Sequence, residues 1–451
     1  MVGGGRERGD QAGGVTAPPL LAPLADWAAT GAEAAGEDAR ARVAMATLDW
    51  FGALAAGRVD GAAPLYAGHF AAMAGGPGAE AFRLGTLSHL AEVDDGHRAA
   101  MLHPGVVTFA PIFAVGRDVT VARFRAAVVA GYEASVRVGA AFGPAHYRVF
   151  HSTGTAGAFG AAAAAGVRAA LNAAEMLHAF GHAGTQAAGL WQFADDGAEP
   201  AKAAHAGFAA QAGLAAASLA ASGVPGAARV IEGPRGLAVA WGLDVDTAPL
   251  LTPFEGAAAL MGATVKAWPV CGQMHHVLDA VTGIAPEGIE RVEIESFAAL
   301  ERIAGLRDPA TAAQARFSTP WCVARVILRA DLGFRTLEEP GVLDDAQVAA
   351  LAARVVMRTA PEFDAAFPAR RGARVTVRRA DGSGDVVEHW GRRGDPERSF
   401  SPPEMRARFA EIAGGADDGW RRDVLDFVDM LEHAGGDDMI PAARTRRLTD
   451  G

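Results

Sequence analysis

The chain has 451 residues and a formal net charge of −11, and its composition is 50% hydrophobic and 21% charged. This length allows two or three domains with self-sufficient cores. The negative charge disfavours a general nucleic-acid binder, which needs lysine and arginine concentrated on one face. The two cysteines, Cys271 and Cys322, are too few for a disulfide framework or a four-thiolate zinc site.

The N-terminus, "MVGGGRERGDQAGGVTAPP", carries glycine, charge and proline where a signal peptide carries an uninterrupted apolar segment. Later apolar runs are either broken by charge or too short to cross a bilayer. We therefore expect a soluble cytoplasmic protein that binds neither membranes nor nucleic acid.

Helical periodicity dominates the first half of the chain. In "ARARVAMATLDWFGALAAG", the apolar residues from Val43 to Leu54 lie at near-helical spacing ahead of a glycine stop. The same pattern, with many small residues that allow close helix packing, recurs further along. Helices are predicted at 39–57, 121–141, 155–171, 173–189 and 202–222.

The pattern changes after Gly262. "RVEIESF" and "ARVTVRRADGSGDVVEHW" alternate apolar and polar residues, and the second contains an Asp-Gly turn between two predicted strands. "LDDAQVAALAARVV" between them is predicted to be helical, and amphipathic helices return after Pro402. The simplest layout is mainly α: a large helical domain built from both chain ends, 1–261 and 402–451, with a smaller α+β lid domain inserted at 262–401.

The stretch "EVDDGHRAAMLHPG", residues 92–105, combines three acidic side chains with two histidines. Zinc-binding helices often place ligands at i, i+4, whereas His97 and His103 are six residues apart, so a metal site is disfavoured. A polar surface loop is the ordinary alternative, but such loops rarely lead straight into a long apolar run. We favour acid–base chemistry, with Asp94 or Asp95 orienting a histidine.

A second polar group stands at the start of the predicted helix in "HSTGTAGAFG". His151 is followed by the hydroxyls of Ser152, Thr153 and Thr155, at the end of the helix where free N–H groups and the positive dipole lie. This arrangement suits a carboxylate or a phosphate. Ordinary helix capping with an idle histidine is the alternative, and helix packing explains the glycines better than dinucleotide binding does.

Lysine is almost absent: only two of the 41 lysine and arginine side chains are lysine, Lys202 and Lys266. Their retention suggests a need for a compact ammonium group, although chance remains the alternative. Lys266 begins "KAWPVCGQMHHVLDA", in which Cys271 is disfavoured as a nucleophile. A hydrogen bond between His276 and Asp279, three residues apart on a helix, is expected instead.

These segments in this order resemble the MmgE/PrpD family, which includes 2-methylcitrate dehydratases, cis-aconitate decarboxylases and iminodisuccinate epimerases. The matching segments extend through most of the chain. They are "LDWFGALAAG", "DDGHRAAMLHPG", "GYEASVRVG", "HSTGTAGAFG", "GHAGTQAAGL", "KAAHAGFAAQAG", "IEGPRG", "KAWPVC" with "HHVLDA", and "DPERSFSPPEMRARF".

The resemblance implies a helical domain with a smaller α+β lid, a homodimer, and neither a metal nor an organic cofactor. It places the family's site residues on Asp94, His103, His151, Lys202 and Lys266. Two positions depart from the family pattern, because Cys271 stands where the decarboxylases have a histidine and Trp321 stands where a tyrosine is expected. Substrate contacts are expected from His97, Ser152, Thr153, Thr155, Cys271 and Trp321.

The reactions of this family remove a proton or carbon dioxide beside a carboxylate, so the carbanion-like intermediate needs nearby cations. Lys202 and Lys266 are expected to supply them, with His103 and His151 as base and acid. A lyase acting on a small carboxylate is the first hypothesis and an epimerase the second. The third is a helical homodimer that has lost catalysis and acts as a binding protein.

Overall fold

The computed structural model describes residues 17–73 and 75–450. The start of the N-terminal segment, from which the lack of a signal peptide is predicted, lies outside these residues. Among the described residues, no helix combines the length and apolar composition that a membrane span needs.

The part of the chain before Gly262 is helical, as predicted, and most helix ends differ from the prediction by a few residues. Helix α7 continues past its predicted end and bends at Gly143, where φ is +70°. The helices are α1 (Ala22–Thr30), α2 (Ala32–Asp38), α3 (Arg40–Val59), α4 (Ala63–Ala72), α5 (Pro77–Leu90), α6 (Pro104–Ala114), α7 (Val121–Tyr147), α8 (Ser152–Arg168), α9 (Ala173–Thr185), α10 (Gln192–Asp195), α11 (Ala201–Ala221), α12 (Leu237–Trp241), α13 (Ala248–Leu251) and α14 (Ala258–Met261).

Helix α8 lies at the centre of this bundle and is buried along nearly its whole length. Its glycines are needed for close packing. A Cβ atom at Gly160 would lie 2.6 Å from the Cβ of Ser135 on α7, and one at Gly154 would lie 2.3 Å from the carbonyl oxygen of Ala188. The packing explanation of these glycines is therefore confirmed.

Six of the eight strands in the described part of the chain lie after Gly262, where they are interspersed with helices, and two short strands lie before it. The strands are β1 (Gly96–His97), β2 (Val119–Thr120), β3 (Ala263–Thr264), β4 (Ile289–Ser296), β5 (Val355–Thr359), β6 (Gly372–Arg379), β7 (Gly384–Trp390) and β8 (Met439–Ile440). The remaining helices are α15 (His275–Val281), α16 (Ala298–Ala304), α17 (Ala312–Ala315), α18 (Thr319–Arg329), α19 (Ala346–Ala352), α20 (Pro361–Ala366), α21 (Pro402–Ile412), α22 (Asp418–His433) and α23 (Ala442–Asp450).

Four of these strands form one sheet in the order β5-β4-β6-β7. The predicted Asp-Gly hairpin is confirmed: β6 and β7 are antiparallel, and Gly382 in their turn has φ +84°. The prediction of helix through residue 356 is wrong at its end. Val355 and Val356 begin β5, which pairs in parallel with β4.

Both ends of the chain contribute to one helical core. The ring of Phe51 on α3 makes edge contacts with Trp420 and Phe427 on α22, at centroid distances of 6.1 and 6.2 Å. The four-stranded sheet and its helices enclose a second core. The protein is mainly α, as expected, and the domain boundaries at residues 261 and 401 stay a prediction.

Candidate active site

A two-residue ladder joins the acidic segment at residues 92–105 to the residues just before Lys266. Strands β1 and β3 pair antiparallel, with Gly96 opposite Thr264 and His97 opposite Ala263. This pairing holds the "EVDDGH" segment beside the chain that leads to Lys266.

Both lysines bind one buried carboxylate. Lys202 donates to Oε1 of Glu92, and Lys266 donates to Oε2 of the same side chain at 2.8 Å. Lys266 also lies 3.6 Å from Oδ1 of Asp94. Burial opposes ionisation of Glu92, but the two ammonium groups outweigh it and hold the pKa of Glu92 below its usual value. Burial likewise disfavours the charge of Lys266, but Glu92 and Asp94 outweigh that effect and raise its pKa.

Asp94 connects this cluster to two histidines. Its Oδ2 atom lies 2.8 Å from Nδ1 of His89 and 2.9 Å from Nδ1 of His103. The expectation that Asp94 or Asp95 orients a histidine agrees with this geometry. Asp94 is buried, yet His89, Lys266 and His103 together hold its pKa well below the usual value.

The contacts of His103 define which of its nitrogens carries the proton. Nδ1 faces two acceptors, the Asp94 carboxylate and the backbone carbonyl of Asp95 at 2.6 Å. A carbonyl oxygen cannot donate, so Nδ1 carries the hydrogen and Nε2 of the neutral ring keeps a free lone pair. Burial lowers the pKa of His103, and although Asp94 opposes this effect, the ring favours the neutral form. A neutral imidazole with a free Nε2 is suited to accept a proton.

Asp95 holds neighbouring parts of the protein in place. Its carboxylate accepts hydrogen bonds from the Tyr132 hydroxyl at 2.6 Å and from the Gly105 N–H in the first turn of α6 at 3.0 Å. Burial, with Asp49 adding to it, raises the pKa of Asp95 to about 7. Asp95 therefore contributes its carbonyl to His103 and its carboxyl group to the start of α6.

His151 completes a group of three imidazoles with His89 and His103. Its ring stacks on that of His89 with centroids 5.6 Å apart and lies 6.3 Å from that of His103. Nδ1 of His151 contacts Nδ1 of His205 at 3.2 Å, while Nε2 has no hydrogen-bond partner among the described residues. Burial, with His205 and Lys202 adding to it, keeps the pKa of His151 well below its usual value.

These three histidines are also the group of side chains that could hold a metal ion. One nitrogen from each lies within 4.8 Å of the others, whereas nitrogens around tetrahedral zinc are only about 3.3 Å apart. Metal-binding histidines commonly donate their other ring N–H to a carboxylate, as His89 and His103 do here to Asp94. The prediction that the site holds no metal ion therefore requires a direct test.

The hydroxyls at the start of α8 bond to nearby protein groups. Thr153 Oγ1 accepts the N–H of His103 at 3.2 Å, and Thr155 Oγ1 contacts Nε2 of His146 at 2.8 Å. Ser152 is buried in the same turn. Through Thr153, this helix start positions the backbone of His103.

A pocket opens between the two parts of the chain. Of the predicted site residues, His97, His103, Lys202, Lys266 and Cys271 line it, together with Tyr147, Gln273, Arg371 and Arg392. Burial raises the pKa of the Cys271 thiol, with Glu92 adding to the effect, so the thiol stays protonated, as expected for a lining residue. Trp321 is buried in the second core.

Several residues of this site were not predicted from the sequence. His89 lies outside every segment that the sequence singled out, and His205 lies within "KAAHAGFAAQAG" but was not proposed as a site residue. Glu92 was noted only as part of an acidic stretch. The expected bond between His276 and Asp279 is wrong: His276 contacts the Ser296 hydroxyl, while Asp279 accepts from Trp268 Nε1 and the N–H of Arg393.

Comparison with known protein families agrees with the resemblance found in the sequence. The sequence profile of the MmgE/PrpD N-terminal domain matches residues 22–246, and that of the MmgE/PrpD C-terminal domain matches residues 268–425. No curated protein matches the chain significantly.

Proposed function

Because the chain belongs to the MmgE/PrpD family, we propose that it is a cofactor-independent acid–base enzyme. It acts at a carbon next to a carboxylate of a small di- or tricarboxylate, and the first candidate reaction is a lyase reaction that expels water or carbon dioxide. The observation that carries this proposal is the contact between a pocket-lining base, His103, and a buried cluster of two lysines and two carboxylates.

In this mechanism, Nε2 of His103 takes the proton from the carbon beside the substrate carboxylate. Asp94 and the Asp95 carbonyl hold Nδ1–H and thereby fix the ring, and Asp94 stabilises the imidazolium that forms. The electron pair of the broken C–H bond moves into the carboxylate. That pair then forms the carbon–carbon double bond as the hydroxyl group on the next carbon departs. The His103 imidazolium gives its Nε2 proton to the departing hydroxyl, which leaves as water.

Lys202 and Lys266 stabilise the charge that develops on the substrate carboxylate. Both ammonium groups are held by Glu92 before the substrate arrives, so little reorganisation is needed. Removal of one preorganised donor of this kind typically costs about 3–4 kcal/mol of transition-state stabilisation.

Epimerisation is the second candidate, because the site holds a second imidazole. The ring of His151 lies 6.3 Å from that of His103, and its Nε2 has no partner among the described residues. His151 does not line the closed pocket, so this reaction requires the open state to bring its ring to the substrate. Two groups at such a separation suit proton removal from one side of a carbon and proton return from the other.

NMR of citrate-like and amino-dicarboxylate compounds incubated with the protein in D₂O tests the proposal. A lyase gives an alkene product. An epimerase gives deuterium uptake with a new stereoisomer. Neither signal across the panel would contradict the enzyme proposal and favour a binding protein.

The pocket requires an open state for substrate entry. Its volume of about 50 Å³ accommodates only a few water molecules. One wall is formed by residues within 96–103 and by residues 147, 191 and 202. The other wall is formed by residues within 264–273 and by residues 317, 371 and 392. We propose that the inserted α+β part acts as a lid. Hydrogen exchange with and without bound tricarballylate would reveal added protection in both walls, and unchanged exchange would contradict a lid.

A homodimer is part of the proposal. Phe208 and Leu219 protrude from α11 beside Leu190, with exposed fractions of 56, 43 and 51%, and these residues line a largely apolar groove. Exposed apolar patches of this kind commonly mark protein interfaces. Sedimentation equilibrium should give twice the chain mass for the parent protein and a monomer for Phe208→Asp. A monomeric parent would contradict the proposal.

We expect activity to persist after exhaustive treatment with EDTA. The reason is that Lys202 and Lys266 supply the positive charge that a metal ion would otherwise supply to the intermediate. The measurement is steady-state turnover before and after chelation, with zinc added back. Loss of activity on chelation and its return with zinc would instead assign the three-histidine group as a metal site.

The acid limb of the pH profile of kcat/KM is expected below pH 6.5. His103 acts as a base only when it is neutral, and its pKa is lowered from 6.5, so protonation inactivates the enzyme only at lower pH. A pH series on the substrate found by NMR measures this limb. A limb centred above pH 6.5 would contradict the assignment of His103 as the base.

A further inference from the structure

Arg371 carries a buried positive charge at the wall of the pocket. The residue is 4% exposed. Its Nε donates to Oε1 of Gln273 at 3.1 Å, while Nη1 has no hydrogen-bond partner among the described residues. Burial lowers the pKa of the guanidinium to about 9, and Arg392 adds to this effect.

Other buried arginines of the described chain have carboxylate partners. Arg316 pairs with Asp60 and Glu338, Arg408 with Asp49, and Arg392 with Asp395. Arg371 forms no salt bridge with a described residue. Asp395 acts on Arg371 only from beyond salt-bridge distance. Since a buried charge without a direct partner is unfavourable, the position beside Arg371 favours a carboxylate that the described chain does not supply.

The position of Arg371 indicates where that carboxylate comes from. His103, Lys202 and Lys266 line the same pocket. The pocket therefore has an acid–base group and two ammonium groups in addition to the Arg371 guanidinium. Gln273 lies beside Arg371, and its Nε2 donates to the Tyr147 hydroxyl at 3.2 Å, which fixes the amide that orients the guanidinium. Gln273 and Tyr147 also line the pocket.

We propose that Arg371 binds a second carboxylate of the substrate, away from the carbon on which His103 acts, and so selects compounds with at least two carboxylates. This inference rests on the proposed function and adds a specificity-determining residue to it. The planar guanidinium matches the two oxygens of a carboxylate. A bound carboxylate also provides the opposite charge that Arg371 lacks.

The test is equilibrium binding of tricarballylate, an unreactive tricarboxylate, to the parent protein and to Arg371→Met. We expect at least about tenfold weaker binding in Arg371→Met. The matched control is Arg370→Met, which removes the neighbouring exposed arginine and should change binding by less than about twofold. Arg371→Lys keeps the charge without the planar fork and should be intermediate.

Thermal melting separates substrate binding from a structural role. Arg371→Met removes a buried charge that lacks a carboxylate partner, so its melting temperature should equal or exceed that of the parent. If this variant does not fold, Arg371→Gln, which can still donate to Gln273, is measured in its place. Binding within about twofold of the parent in the folded variant would overturn the proposal, as would equal loss in Arg370→Met or no binding by the parent.

This test fails independently of the lyase proposal. If no compound reacts in D₂O but Arg371→Met loses tricarballylate binding, the carboxylate-binding role of Arg371 is supported and the proposed reaction is wrong. If a substrate is turned over and Arg371→Met binds tricarballylate like the parent, the proposed reaction is supported and the carboxylate-binding role of Arg371 is wrong.

Discussion

His103→Asn is expected to lower kcat by roughly a hundredfold to ten-thousandfold, the range typical for loss of a general base. The amide nitrogen of asparagine can replace Nδ1–H as donor to Asp94 and to the Asp95 carbonyl, so the local hydrogen bonds persist. What disappears is Nε2, the atom assigned to proton removal. Steady-state kinetics measures the loss, and a thermal melt checks the fold.

The matched control is His89→Asn. His89 contacts the same oxygen of Asp94 through its own Nδ1, but it is absent from the wall of the pocket that His103 lines. We therefore expect a clearly smaller loss of kcat in this variant. Equal losses in the two variants would indicate that both rings act only by holding Asp94, and the assignment of the base to His103 would be wrong.

Lys202→Ala is expected to lower kcat/KM by about a hundredfold or more, by analogy with loss of one preorganised donor to a developing anion. Lys202→Arg and Lys266→Arg should each lower it by at least about tenfold, or ~1.4 kcal/mol. Arginine keeps the charge, but its broad fork does not replace a compact ammonium on one oxygen of Glu92.

Stability is the control for the lysine variants. Glu92 keeps one ammonium partner when the other lysine is removed, so a folded protein is expected with a lowered melting temperature. The double variant Glu92→Gln/Lys202→Met removes both charges of one pair and should recover part of that loss. Arginine variants as active as the parent would show that the lysines supply only generic charge.

The helices and the hairpin could be predicted because their signals are local. Helical spacing of apolar residues and an Asp-Gly turn each depend on a few adjacent residues, and both agree with the structure. Strand β5 was missed for the opposite reason. It follows α19 after two residues, and its valines are equally compatible with a helix until they pair with β4.

The sequence by itself determined which chemical groups the protein has: two lysines, an acidic segment with histidines, and the family that these motifs resemble. Residue type and order are enough for that. Only the tertiary structure decided which groups meet, because Glu92 is separated from Lys202 and Lys266 by 110 and 174 residues and reaches both through helix packing and the β1–β3 ladder. The tertiary structure also decided which nitrogen of His103 is free and that Arg371 has no carboxylate partner among the described residues. Protonation and pairing depend on burial and on neighbours that the order of residues does not reveal.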